Sequence, residues 1–263
     1  EKQNDRLERK QLKELEKSIV IKAVSVEPVQ KTQSMFADRE KAKVYQDVVN
    51  KQIDGRSEIM IEHMNKFMGE QADRIIAKLK ARKAVKLNVS DIGLILDKSG
   101  ETERVASFVL PFITEWAKEA GIEANGMLGI NQTFSFNDAI ENAVIKRARN
   151  LAKQVNDTTF ENISSTLSEG INEGESISKL AKRIKTVYED FPNYRTRLIS
   201  RTEATAANSE GFLSAYKQSG VVTHKEWIST DDKRTREEHK SMDGEIVAID
   251  KPFSNGLQYP QEP

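Results

Sequence analysis

Along most of this chain apolar residues recur at spacings of three and four, the period of helices with one buried face. Between residues 36 and 82 the rhythm runs through Val44, Val48, Ile59, Met60, Met64, Phe67, Met68, Ile75, Ile76 and Leu79, with Gly55 as an expected interruption. Asn88-Val89-Ser90-Asp91 offers N-cap chemistry for a following helix. Residues 105–120 are amphipathic again and hold Trp116, with Pro111 either tolerated or kinking. Gly121, Gly126 and Gly129 are expected to break the chain. Ser135-Phe136-Asn137-Asp138 starts the next helix, which carries Ile140, Val144, Ala148, Leu151 and Val155 on one face. Thr158 or Thr159 is placed to cap a further helix through Leu167. Residues 170–176 read as a turn, and Ser176 starts a helix with Leu180, Ile184 and Val187 inward. Pro192 closes that helix, and another containing residues 199–208 follows.

The two ends of the chain depart from this rhythm. Residues 1–18 are highly charged, and Leu7, Leu12 and Leu15 give a thin apolar stripe that suits a solvated or partner-dependent helix. Residues 19–33 alternate around Pro28 and read as a linker. After Gly220 the period falls to two. Residues 221–229 and 245–249 alternate like strands, with Asp243-Gly244 as a turn signal between them. A small antiparallel element packed on the helix of residues 199–208 is expected, followed by loop from 251 to 263. The predicted fold is therefore mainly α, an extended helical region followed by a small C-terminal α+β element. It divides into a charged segment and linker (1–35), a helical domain (36–196) and a C-terminal motif domain (197–263). No regular repeat, dinucleotide-binding glycine pattern or P-loop occurs.

Composition narrows the chemistry. With 263 residues, 37% hydrophobic and 31% charged, the chain is long enough for a real core under a well-solvated surface. Lys and Arg number 41, as do Asp and Glu, so there is no global basic field and any DNA contact must be local. The absence of cysteine excludes disulfides and thiolate metal sites, and three histidines argue against a transition-metal centre. No cofactor is indicated. No apolar run reaches a membrane span, and no membrane partner is expected. The first residue is Glu1 rather than Met, which points to a processed product or a part of something longer.

Unusual polar chemistry gathers in residues 197–263. Arg201, Thr202 and Glu203 lie on one helix; Trp227, Asp232, Arg234, Arg236, His239, Asp243 and Gly244 follow. Glu203, Asp232 and the arginines with His239 are expected to form one buried polar cluster. In one reading it is a structural clamp, bidentate Arg–carboxylate pairs pinning a small element anchored by Trp227. In another it is a pocket for nucleic acid or another anion, and in a third a catalytic site with His239 moving protons. The clamp is favoured, and no catalytic residue is assigned. Lys146, Arg147, Arg149 and Lys153, with Lys182, Arg183 and Lys185, are candidate DNA contacts, although helices of this kind usually turn such charges to solvent. His63 and the methionines read as packing, and His224 as an ordinary surface histidine.

In these residues the chain resembles the phage Mu F-like head morphogenesis, or minor head protein, family, which also occurs as a C-terminal extension of phage portal proteins. The matching features are Asp157-Thr158-Thr159, Gly170 through Gly174-x-Ser176, Ile199-x-Arg201-Thr202-Glu203 and Trp227. Most specific is Asp232-x-Arg234-Thr235-Arg236-x-x-His239, followed by Met242-Asp243-Gly244. The resemblance covers roughly residues 136–253. Members often continue into a proline-rich tail with Asn-Cys-Arg-Cys-like residues; this sequence runs to Pro263 with no cysteine. The resemblance implies a structural role in the virion, near the portal, in capsid assembly, DNA packaging or DNA delivery. The implied partners are the portal, other head proteins and packaged DNA; the implied location is the phage head, with host cytoplasm during assembly. The competing class is an enzyme, a nuclease or ADP-ribosyltransferase-like toxin module, because Arg-Ser/Thr-Glu triplets and His/Arg/Thr sets occur in such proteins.

Overall fold

Helix α1, Arg39–Ala81, shows how the apolar stripe is used: Ile53, Met60, Met64, Met68, Ile75 and Leu79 are all buried. The computed structural model describes residues 39–82, 87–129, 132–189, 193–229 and 237–260. The expected charged segment and linker of residues 1–35, Pro192, and the site candidates Asp232, Arg234 and Arg236 lie outside them. A 3-10 turn, Val89–Asp91, leads into α2, Ile92–Leu96, and then come α3, Lys98–Leu128, and α4, Asp138–Asn172. Helices α5, Ile177–Glu189, and α6, Asn193–Ser219, precede β1, His224–Glu226, the short α7, Glu237–Ser241, and β2, Ile246–Ala248. The mainly α expectation holds, with the two short strands confined to the C-terminal part. None of the described helices is long and apolar enough to cross a membrane.

The chain divides into two compact units. Among the described residues, one takes those within 53–116 and 137–205, and the other those within 39–52, 117–136 and 206–260. In the first, Ile75 and Leu79 of α1, Ile92, Ile95 and Leu96 of α2, Phe160, Ile163 and Leu167 of α4, and Leu180 and Ile184 of α5 share one core. Each such side chain contributes about 1.5–3 kcal/mol by leaving water. Asn137 begins α4 by accepting from the amides of Ala139 and Ile140, as its cap position predicts. Asp91 answers the amide of Asn88 at 2.9 Å, so the expected cap closes the 3-10 turn that introduces α2.

Four expected breaks are absent. Gly55 sits inside α1, exposed, with nothing within 4 Å of where a Cβ would stand. The apolar positions on either side carry the helix through it, and one glycine costs only about 1 kcal/mol. Gly121 and Gly126 lie inside α3, and the helix ends at Gly129, whose φ is 61°. Thr158 and Thr159 start no new helix; their hydroxyls donate to the carbonyls of Gln154 and Val155, which satisfies them within α4.

In the second unit, Ala117, Ala120 and Gly121 of α3 lie against Gly211 of α6. A Cβ on Gly211 would fall 2.3 Å from the Ala117 carbonyl oxygen, so glycine permits this approach. Gly121 has the same role towards the Phe134 ring, 2.3 Å from its would-be Cβ. Tyr45 donates to Glu123 at 3.0 Å, and burial pushes the Tyr216 hydroxyl pKa upward. Strands β1 and β2 pair antiparallel with His224 opposite Ala248 and Glu226 opposite Ile246. Trp227, Met242 and Phe253 make the small core beneath them.

Candidate functional site

The Arg-Thr-Glu triplet occupies the middle of α6, and its two charges go to different helices. The Glu203 carboxylate receives the Arg147 guanidinium from α4 in a bidentate pair, Oε2 to Nε at 2.6 Å and Oε1 to Nη2 at 3.2 Å. Both side chains are buried, 9% exposed for Arg147 and 7% for Glu203. Burial pushes the Glu203 pKa up, and Arg147 opposes that rise. Arg201 reaches Asp54 of α1 in a half-exposed pair, and Thr202 is half-buried beside it. Arg197 lies 3.7 Å from Glu58, and Thr196 donates to Asn65 at 3.1 Å. This half of α6 is therefore pinned to α1 and α4 by polar contacts as well as by packing.

In the second unit the motif residues gather around Trp227. Its ring meets His239 edge-on at 5.5 Å and Phe253 at 5.1 Å, both near perpendicular. The Trp227 amide donates to the Glu245 carbonyl at 2.9 Å, and its own carbonyl accepts from Gly244 at 2.8 Å. Gly244 has φ 84°, the left-handed geometry that favours glycine. Asp243 accepts from the Ser229 amide at 2.9 Å. Lys225 lies over the Phe253 ring at 5.2 Å and donates to Gln258 at 2.6 Å. Trp227, His239, Asp243 and Gly244 are thus brought together, whereas Arg201, Thr202 and Glu203 belong to the first unit.

The basic candidates separate by environment. Lys146, Arg149 and Lys153 are exposed on α4, and Lys182 and Lys185 are exposed on α5. Arg147 points inward to Glu203, which removes its guanidinium from the surface. Arg183 is held by Glu175 at 2.8 Å, Glu169 at 2.7 Å and Glu173 at 3.0 Å; its bonds to Glu175 and Glu169 raise its pKa, and Arg183 holds Glu175 below the usual carboxylate range. That grip closes the α4–α5 turn, where Gly174 has φ 71° and a Cβ on Gly170 would crowd Glu175 and Leu180 at 2.7 Å. The glycine motif of residues 170–176 is accounted for by this corner.

A polar network in the first unit escaped the sequence reading. Gln71 of α1 donates to Glu101 of α3 at 3.3 Å and to Asn156 of α4 at 3.1 Å, and accepts from Tyr188 of α5 at 2.9 Å. Arg74 clasps Glu101 through two contacts at 3.0 and 2.8 Å, and Asn156 donates on to Thr102 at 3.2 Å. Burial raises the Tyr188 pKa. The signal in the sequence was a polar residue on an apolar stripe: Gln71 lies three after Met68 and four before Ile75. An open groove of about 640 Å³ lies beside this network, lined by Phe67, Arg74, Gly100, Glu103, Arg104, Ser107 and Phe108. Among the described residues no group of three or more His, Asp or Glu is placed to hold a metal ion.

Comparison with known proteins gives matches over parts of the chain. The family model described as Phage Mu protein F like protein matches residues 161–263. A stretch covering 36% of this chain is 29% identical to the minor head protein GP7 of Bacillus phage SPP1. Another, covering 41% of the chain, is 31% identical to the NAD(+)–arginine ADP-ribosyltransferase EFV of Enterococcus faecalis. These stretches take up 31% and 23% of the two relatives, so the chain spans less than a third of either. No solved structure matches. The region matched by the Phage Mu protein F like model contains the triplet on α6, the Arg183 corner and the Trp227 core.

Proposed function

We propose that this chain is a structural component of a phage head, a minor head protein that acts by binding its neighbours. The observation that carries this reading is the Phage Mu protein F like match over residues 161–263, and the similarity to a minor head protein supports it. The site geometry favours a clamp over a reactive pocket, because both oxygens of Glu203 are engaged by Arg147 away from water. In this reading the protein sits near the portal, after assembly in host cytoplasm, and serves capsid assembly, DNA packaging or DNA delivery. Its helical surface meets the portal and other head proteins. Lys146, Arg149, Lys153, Lys182 and Lys185 touch packaged DNA through phosphates, in contacts that weaken as salt rises. Capture on immobilised portal rings tests the partner: the full chain is expected to be retained, and passage straight through would overturn portal binding.

The similarity to an ADP-ribosyltransferase favours a second reading, an enzyme module, for which the Arg-Thr-Glu triplet would be the candidate site. A catalytic carboxylate must reach its substrate, whereas Glu203 is buried in an ion pair. Incubation with labelled NAD and an arginine acceptor is expected to give no transfer. Transfer that disappears in Glu203→Gln would establish the second reading instead.

A further inference from the structure

The sequence contains two Asn-Gly pairs, Asn125-Gly126 and Asn255-Gly256, and the fold treats them oppositely. Asn125 is buried inside α3 and its side-chain amide donates to the Gln132 carbonyl at 2.9 Å. Asn255 and Gly256 are both exposed, in a turn after Phe253. Gly256 has φ 85°, and the space where a Cβ would stand is empty to 4 Å. Three contacts close the turn: Phe253 N to Leu257 O at 2.8 Å, Gly256 N to Phe253 O at 2.8 Å, and Leu257 N to Asn255 Oδ1 at 3.0 Å.

We propose that Asn255-Gly256 is a site of spontaneous deamidation, and that its conversion loosens the aromatic core around Trp227. Hydroxide takes the proton of the Gly256 amide, and the nitrogen attacks Asn255 Cγ. The new N–C bond forms as the Cγ–Nδ2 bond breaks, and the side-chain nitrogen leaves as ammonia. Water then opens the succinimide at either carbonyl, giving aspartate or isoaspartate. Glycine places no side chain beside the attacking nitrogen. The amide must first leave the Phe253 carbonyl, so the reaction proceeds through opening of the turn, an exposed element of the kind that opens readily. In α3 the same step requires breaking a helix around a buried asparagine. The isoaspartate product adds a methylene to the backbone between Asn255 and Gly256. That shifts the register in which Phe253 N meets Leu257 O, and Phe253 is the ring partner of Trp227 at 5.1 Å.

Peptide mass mapping of the folded full chain, aged at mildly alkaline and mildly acidic pH, tests the proposal. The amide-to-acid mass gain is expected in the Asn255 peptide, faster at alkaline pH and absent in Asn255→Gln. It should appear at least about 10-fold faster than at Asn125, equivalent to roughly 1.4 kcal/mol in opening free energy. Equal rates at the two asparagines would overturn it, as would an unconverted Asn255 after a period in which the urea-unfolded chain converts. Hydrogen exchange reads the second half: the Gly244 and Trp227 amides should exchange faster in the isoaspartate fraction, and unchanged exchange there would overturn the loosening.

Discussion

Removing either member of the Arg147–Glu203 pair leaves the other charge buried without a counter-ion. Glu203→Ala or Arg147→Ala is therefore expected to destabilise the protein by roughly 3–5 kcal/mol. Arg201→Ala, in the same triplet, breaks a half-exposed pair with Asp54 and should cost about 1 kcal/mol or less. Urea denaturation of the three variants checks this, and equal losses would contradict the assignment of burial. Asp97 carries a pH dependence of known sign. Its hydrogen bond from Lys78 at 2.7 Å is the main cause holding its carboxyl below the usual range. The contribution is thus present above the ordinary Asp value of about 3.9 and disappears as pH falls through the lower folded-state value. Because the Asp97 side chain is 44% exposed, the effect should be about 1 kcal/mol or less. Asn tolerates the left-handed φ of 49° found here, so Asp97→Asn keeps the backbone and should flatten that part of the acid-stability curve.

At the scale of elements, glycine within a helix has two opposite meanings in this chain. Gly55→Ala adds a methyl into open space and should stabilise by about 0.5–1 kcal/mol. Gly211→Ala forces a methyl to 2.3 Å from the Ala117 carbonyl and should destabilise by about 1–3 kcal/mol. Denaturation midpoints of the two variants should move in opposite directions. The sequence could not separate these cases, because the difference lies in which helix packs alongside. The apolar stripes were legible: Ile140, Val144, Ala148, Leu151 and Val155 are all buried on one face of α4. So were the strands, three residues of each predicted stretch pairing as β1 and β2. Long-range polar partners were not. Nothing local to Glu203 announces an arginine 56 positions away, and Gln71, Glu101 and Asn156 occupy places on stripes that apolar residues would suit equally. Thr158 and Thr159 carry the same hydroxyls whether they cap a helix or bond back within one.

For the whole molecule, the partial family match and the buried Arg147–Glu203 pair both support the proposed structural role. The Arg-Thr-Glu triplet, the glycine corner and the Trp227 core each have a structural reason to be where they are, which suits a protein whose product is a binding surface. The triplet and the Trp227–His239 stretch were legible as a motif from sequence. Their separation into two units was not, since spacing along a chain does not fix which residues share a core. A head component must be present in the finished particle. Quantitative mass spectrometry of purified virions is the most direct measurement: the account predicts this protein at low copy number, in a fixed ratio to the portal. Particles that contain the portal and lack this chain would contradict it.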